Sequence, residues 1–519
     1  MNINRRRTLK RGLAASTLFL PLPYARLWAQ SDGALKLIGL PKIALVIGNS
    51  RYRGAPELKN PANDANAMGA ALKAARFDVT IKLDSSRAEM IAAIQTHVQT
   101  LTKRKCVGLF YFAGHGLQLA WRNFLLPVEA AIKKMDDVAM QGVDLGGLIE
   151  GITKAANPLN VIVLDACREN PFARDFRVEQ KGLSQIDAPP GTLLAYATSP
   201  GNVASDGEGA NGLYTEHLLR EIQVKEARIE DVFKRVRLGV RRKSNGAQIP
   251  WESTSLEEDF YILPPEHLQK LSDAEKERLF KEELALWERI QNAVEPAPLE
   301  DYLKRYPSGN FSELAQLRLD RALARQGEKR IQIASQANNP FTQGSAFTRI
   351  ARVGDSYTYR DVNMRTKAER GVYTTTVIQV TDSEAIHDNG LITDLLGNQL
   401  RTRGGFSNSP AQLVPQEFSV GKRWSVRTDV TDPKGVTFSA EQTIRILRRE
   451  EVTVPAGTFN AFLLEGRGRN TNPAGPVEFV VRRWYVPEFQ RPVVREQVNR
   501  RDKKIIGAER LELMAYKLA

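Results

Sequence analysis

One cysteine and one histidine, each at the end of an apolar run, are the residues best suited to covalent chemistry. Cys167 follows the run 160–165 (NVIVLD), and His115 follows the run 107–113 (VGLFYFA). A thiol beside an imidazole is what a cysteine nucleophile needs, because the imidazole accepts the thiol proton. The chain holds only two Cys and five His, so few other pairs are available.

Four continuously apolar runs predict buried strands of a parallel sheet that is covered on both faces. Amphipathic segments at 63–75 and 87–101 predict helices between them, so the pattern indicates a doubly wound, mostly parallel α/β fold. In such sheets ligands bind at the carboxyl ends of the strands, where both reactive side chains fall. The four runs are 42–48, 107–113, 160–165 and 192–198.

Two short motifs carry a family resemblance. YFAGHG at 111–116 and DACREN at 165–170 resemble the His and Cys motifs of caspase-like proteases, most closely those of the bacterial metacaspase and orthocaspase branch. Their His and Cys are 52 residues apart, near the roughly 50 of the caspase pair. The resemblance covers about 220 of the 519 residues. Further segments match in order: VIGN at 46–49 with LKNPANDA at 58–65, AYATSPG at 195–201 and WESTSL at 251–256.

The resemblance implies a caspase-like cysteine endopeptidase that works through a thioester acyl-enzyme. Cys167 would be the nucleophile and His115 the acid and base. The backbone N–H groups of Gly116 and Cys167 would form the oxyanion hole. The other cysteine, Cys106, and the helical His97 are predicted to be structural. The alternative is a catalytically silent caspase-like scaffold or binding protein of the cell envelope.

Three carboxylates predict the specificity of this implied active site. Caspases cut after Asp with a basic S1 pocket and have Gln two positions before the nucleophile, where this chain has Asp165. Asp64 matches an S1 residue of metacaspases, and a gap-free count puts Asp206 where caspases have a pocket Arg. An anionic pocket would pair with Arg or Lys and repel Asp. We therefore expect cleavage after Arg or Lys.

A basic segment after the nucleophile could be a self-cleavage site. Arg174, Arg177 and Lys181 lie where caspases carry their inter-subunit linker, and they fit the predicted specificity. The alternative is an uncut surface loop, since charged tips are common on loops.

The amino terminus is predicted to be an export signal. Residues 1–29 combine six basic residues and no acid with an apolar run, and NRRRTLK at 4–10 resembles the twin-arginine consensus. We expect a protein exported to the periplasm or cell envelope, although a plain signal peptide or an uncleaved anchor would also fit. No other stretch is long and apolar enough to predict a membrane span.

Signal removal would reduce the net charge from +14 to +8. The basic residues are spread along the chain without a nucleic-acid motif, so nucleic acid is not an expected partner.

The remainder of the chain predicts three further parts. Charged helical stretches at 264–330 indicate a small helical hairpin or repeat-like adaptor, and polar residues 331–345 indicate a linker. From 346 to 519, β-branched runs between Gly, Pro, Asn and Asp turns predict an antiparallel all-β domain of half-barrel type. The peptidase domain itself is assigned to 38–263. No cofactor is expected; calcium activation and the oligomeric state stay open.

Overall fold

The computed structural model describes most of the chain beyond the amino terminus. The predicted signal peptide, Asp206 and the self-cleavage positions Arg174, Arg177 and Lys181 lie outside the described residues. The described residues are 33–167, 171–172, 182–200, 202, 204, 209–265, 271–329, 331, 338–343, 346–347, 349–472 and 475–519.

An eight-stranded, mostly parallel sheet forms the first part of the molecule. Its main path runs β2-β1-β3-β6-β7-β8; only β8 on this path is antiparallel to its neighbour, and β4 and β5 extend it from β3. The strands are β1 (Lys42–Gly48), β2 (Asp78–Leu83), β3 (Val107–Leu119), β4 (Arg122–Leu125), β5 (Val143–Asp144), β6 (Leu159–Cys167), β7 (Thr192–Tyr196) and β8 (Trp251–Thr254).

Helices cover both faces of this sheet, which confirms the predicted α/β fold. One core joins the sheet to α2, α6 and α7, and the other joins it to α3 and α5. Local signals fix two helix starts: Pro61 opens α2, and Ser86 forms a capping box with Glu89 at the start of α3. The helices are α1 (33–39), α2 (Pro61–Ala74), α3 (Arg87–Arg104), α4 (Met135–Gln141), α5 (Leu145–Ala155), α6 (Leu213–Glu221) and α7 (Ile229–Lys243).

Three helices follow, and they join the two larger parts of the chain. They are α8 (Asp273–Ile290), α9 (Pro296–Arg305) and α10 (Ser312–Arg325). Pro296 starts α9, because proline fits the first turn of a helix. Their shared core contains the stacked rings of Trp287 and Phe311. Leu238 of α7 and Leu395 from the carboxyl-terminal part belong to the same core, so the helices pack against both neighbours.

The carboxyl-terminal part is an antiparallel sheet of twelve strands that closes into a barrel, because β10 pairs with β22. The all-β prediction is thus confirmed, and the sheet closes completely. The elements are β9 (Ala346–Phe347), β10 (Ser356–Asn363), β11 (Glu369–Val380), β12 (Glu384–His387), β13 (Ile392–Asp394), β14 (Gln399–Arg401), β15 (Ser407–Asn408), β16 (Glu417–Phe418), β17 (Arg423–Thr431), β18 (Thr437–Val454), β19 (Gly457–Asn472), β20 (Gly475–Val486), η1 (Pro487–Phe489), β21 (Arg491–Arg501) and β22 (Lys504–Lys517); β9 and β16 pair separately.

Part of the predicted linker is bonded to the first domain. The Asn339 side chain donates to the carbonyl of Gln185 at 2.7 Å. Asp187 accepts from the Thr342 hydroxyl at 2.6 Å and from the Gln343 N–H at 2.7 Å. These bonds hold residues 338–343 against the segment that precedes β7. Among the described residues, no helix has the length and hydropathy required to cross a membrane.

Candidate active site

The register of two central strands brings the reactive positions together. β3 and β6 are parallel neighbours, and the last residue pair between them is His115 with Cys167. The carboxyl ends of parallel strands meet at one edge of the sheet, so both residues lie at that edge. Asp165 lies opposite Ala113, one pleat further into the sheet.

His115 is held by the loop after β1. The residue is 5% exposed, and its Nε2 lies 2.9 Å from the carbonyl oxygen of Pro56. A carbonyl can only accept, so Nε2 carries a proton in this contact. In the neutral imidazole the other nitrogen, Nδ1, is then the base. Sequence reasoning named no partner for this ring, and the partner is a backbone atom that no side-chain motif reveals.

Tyr52 supports the same histidine from a second direction. Its hydroxyl accepts the backbone N–H of His115 at 2.8 Å, and the two ring centroids are 4.5 Å apart. Gly114 explains part of the GHG motif: its φ is +152°, and a Cβ there would lie 2.5 Å from the Tyr52 hydroxyl. A larger residue at this position would push the Tyr52 hydroxyl from the histidine backbone.

Gly116 lies in a strand rather than in a loop. β3 continues through the GHG motif to Leu119, and after His115 it leaves β6 and pairs with the antiparallel β4. A Cβ on Gly116 would lie 3.1 Å from a methyl carbon of Leu183. The glycine therefore allows the backbone to pack closely where β3 changes partner.

Asp165 is partly exposed and is oriented by a chain of hydroxyl groups. Thr215 of α6 donates its hydroxyl to Asp165 at 2.6 Å, and the Tyr111 hydroxyl lies 2.6 Å from the same Thr215 oxygen. Since the Thr215 proton points to the carboxylate, Tyr111 donates to Thr215. Burial raises the pKa of Tyr111 well above its usual value, and Asp165 and Asp64 raise it further, so Tyr111 stays a donor.

Asp64 is a second carboxylate on the same side of the sheet. It lies in the first turn of α2, is 2% exposed, and accepts from the Asn211 amide at 2.8 Å and from the Gly212 N–H at 3.0 Å. Gly212 is the N-cap of α6, so this carboxylate also faces the positive end of that helix. The negative charges of Asp165 and Asp64 both raise the pKa of Tyr111.

A buried asparagine ties together the loops at this edge. Asn49 follows β1; its side-chain oxygen accepts from the Ser85 N–H at 2.9 Å, and its amide donates to the Leu126 carbonyl at 3.0 Å. Asn49, in the loop after β1, is thus hydrogen-bonded to the loops after β2 and β4. Sequence reasoning missed Asn49 as a hub, as it missed Tyr52, Pro56 and Thr215. The signal for Asn49 was its place directly after the first buried strand.

Two other titratable side chains in this domain lie in apolar surroundings. Burial raises the pKa of the Cys106 thiol, which disfavours the reactive thiolate. Burial lowers the pKa of His97 to about 4, so this imidazole is neutral near pH 7. Within the part of the chain that the structure describes, no three His, Cys, Asp or Glu side chains are grouped as a metal site would require.

Comparison with known proteins agrees with this architecture. Residues 41–261 match the profile of a family described as the caspase domain. This segment is therefore similar to a caspase domain. The chain is also 29% identical over 182 residues to the human mucosa-associated lymphoid tissue lymphoma translocation protein 1, and to its mouse homolog to the same extent. Each alignment covers 34% of this chain and 21% of the relative, so the chain spans about a fifth of these relatives' length.

The match supports a caspase-like peptidase module within residues 41–261. Both relatives are mammalian proteins, and membership of the bacterial metacaspase and orthocaspase branch stays a prediction.

Proposed function

We propose that the caspase domain is a cysteine endopeptidase in which Cys167 is the nucleophile and His115 the acid and base. One observation carries the proposal: His115 and Cys167 are register partners at the end of two parallel strands. The contact of Nε2 with Pro56 supports it further, because it leaves Nδ1 of the neutral ring as the base.

The proposed reaction has two halves. Nδ1 of His115 takes the thiol proton, the sulfur of Cys167 bonds to the scissile carbonyl carbon, and the N–H groups of Cys167 and Gly116 bind the oxyanion. The C–N bond then breaks, and His115 gives its proton to the leaving amine. In the second half His115 takes a proton from water, the water oxygen displaces the sulfur from the thioester, and the proton returns to the thiolate.

The proposed specificity is for Arg or Lys before the cut bond. Asp165 is partly exposed beside the nucleophile's strand end, so it can receive a cationic side chain directly. Asp64 is buried and already accepts from Asn211 and Gly212, so it acts by adding negative charge behind the pocket. An Asp side chain there would meet like charges. Asp206 is kept in the proposal as a third pocket carboxylate.

Peptide hydrolysis tests this function directly. Fluorogenic peptides that differ only in Arg, Lys or Asp before the reporter should be incubated with wild type, Cys167→Ala and the control Cys106→Ser, with and without calcium. We expect turnover of the Arg and Lys peptides by wild type and Cys106→Ser, and none by Cys167→Ala. Equal, background-level signals from all three proteins would instead favour the silent scaffold.

Self-cleavage and export form a secondary part of the proposal. Arg174, Arg177 and Lys181 are the proposed self-cleavage positions, and residues 1–29 the export signal that directs the protein to the periplasm or cell envelope. Mapping the terminal fragments of purified protein should show a new amino terminus after residue 29 and a cut after one of the three basic residues. The internal cut should vanish in Cys167→Ala; its persistence would contradict self-cleavage.

A further inference from the structure

Two arginines face each other across neighbouring strands of the barrel. Arg483 of β20 and Arg495 of β21 are direct register partners. Like charges in this relation destabilise a sheet. Arg483 alternates with Val481 and Tyr485, which are 3% and 1% exposed, so it lies on the covered face of β20.

That covered face is the barrel lumen. β20 is separated from β10 by β21 and β22 along the sheet. Nevertheless, Tyr485 interacts with groups on β10: burial raises its pKa well above the usual value, Arg491 lowers it, and Tyr357 and Tyr359 on β10 raise it. Groups on strands so far apart in the sheet reach one another across the interior.

Three other arginines of the barrel have partners. Arg495 is 3.1 Å from a carboxylate oxygen of Glu509. Arg491 donates to the His387 ring at 2.9 Å. The guanidinium of Arg403, an exposed residue in the turn after β14, lies over the Tyr373 ring, 3.2 Å from its centroid. Each of these cations is therefore compensated by a carboxylate, an acceptor nitrogen or an aromatic face.

Arg483 differs from them. The residue is partly exposed, and its Nη1 is buried without a hydrogen-bond partner among the described residues. Burial lowers the pKa of Arg483, and Arg495 beside it adds to this effect, to a value of about 9. A guanidinium N–H that is buried without an acceptor is costly unless something outside the chain supplies one.

We propose that the barrel lumen is a binding site for an organic anion, whose phosphate or carboxylate headgroup is received by Arg483. The planar guanidinium suits either headgroup, because it offers two parallel N–H donors. The strand partners of Arg483 include the buried Leu464, and Val481 lies beside it on the same face, so the ligand's body is apolar. A closed barrel of twelve strands is wider than the eight-stranded barrels that hold one small ligand.

Calorimetric titration of the full chain tests this site. The probes are inorganic phosphate, octyl phosphate and octanoate, so that the headgroup and the apolar body are varied separately. The test variant is Arg483→Met, which keeps the length of the side chain and removes its charge. The control is Arg482→Met, because the neighbouring Arg482 faces outward and pairs with Glu465 at 2.9 Å.

We expect saturable binding of octyl phosphate or octanoate by wild type and by Arg482→Met, tighter than that of inorganic phosphate. Arg483→Met should weaken it roughly tenfold to a hundredfold. Arg483→Lys keeps the charge but lacks the two parallel N–H donors, so its affinity should lie between those of wild type and Arg483→Met. This variant replaces Arg483→Met in the test if the Met variant does not fold. No saturable binding by wild type to any probe, or equal binding by the position-483 variants and wild type, would overturn the proposal.

Discussion

The carboxyl edge of the caspase sheet and the lumen of the barrel both bury charged side chains, yet they treat these charges in opposite ways. At the sheet edge, Asp64 accepts from Asn211 and Gly212, and Asp165 accepts from Thr215. In the lumen, the Nη1 of Arg483 has no bonded acceptor among the described residues. The first region is organised before any substrate arrives, whereas the second is complete only with a ligand.

This difference has a chemical reason. A catalytic site gains from groups that are already oriented, because reorganising them during the reaction would raise the barrier. A site that only binds can leave a charge uncompensated, since the ligand's own charge then contributes to affinity. Variants of the first region should therefore change rates, and variants of the second should change affinity and stability.

Replacing the imidazole of His115 should have the largest effect on kcat/KM. A small effect would contradict the contrast between the sheet edge and the barrel lumen. His115→Ala should lower kcat/KM for an Arg peptide by roughly a thousandfold, because the thiol loses its proton acceptor. The control is His97→Gln, which removes a neutral structural imidazole and should leave kcat/KM within about twofold if the variant folds. Steady-state kinetics checks this; equal rates for His115→Ala and wild type would exclude the proposed base.

Neutralising the exposed pocket carboxylate should have the next largest effect. Asp165→Asn should lower kcat/KM for Arg and Lys peptides by roughly a hundredfold, because the cationic side chain loses a desolvated charge partner. Asp78→Asn, at an exposed ion pair on β2, is the matched control. An Asp165→Asn enzyme that kept its preference for Arg over Asp peptides would show that the pocket lies elsewhere.

The Thr215 hydroxyl that donates to Asp165 should contribute about a factor of ten to kcat/KM. Thr215→Val removes the donor that orients Asp165 and should lower kcat/KM for Arg peptides roughly tenfold, mainly through KM. Thr215→Ser should restore most of the loss, since it keeps the hydroxyl. If Val and Ser variants behaved alike, the contribution of Thr215 would be packing rather than orientation.

The smallest expected effect concerns the ligand-free barrel. Arg483→Met should raise the free energy of unfolding by about 1 kcal/mol, because it removes a partly buried charge whose Nη1 has no acceptor. Arg482→Met should change it by less than about 0.5 kcal/mol, since it breaks only an exposed ion pair. Urea unfolding in anion-poor buffer measures both; destabilisation by Arg483→Met would show that the arginine already has a partner.

The parts that the sequence revealed are those with a local signal. β1 was expected at 42–48 and is found at Lys42–Gly48, because a continuous apolar run marks a buried parallel strand. β2 was missed since it is an edge strand with exposed alternate positions. The facing ends of β3 and β6 followed from two apolar runs and the rule for parallel sheets.

The parts that the sequence did not reveal depend on contacts between distant residues. The Pro56 carbonyl and the Tyr52 hydroxyl both contact His115, although each lies about sixty residues from it in the sequence. No sequence motif marks either group. Barrel closure depends on the pairing of β10 with β22, and the facing arginines 483 and 495 depend on one register of β20 against β21. Such registers are set by the whole sheet.

The most direct measurement is covalent labelling by a peptidyl chloromethyl ketone with Arg at the position before the cut bond. Its carbon should bond to the Cys167 sulfur with loss of chloride, and mass spectrometry of the digested protein should find the adduct on Cys167 and none on Cys106. His115→Ala, or a reagent with Asp in place of Arg, should give little adduct. Labelling of Cys106, or equal labelling of Cys167 by both reagents, would contradict the account.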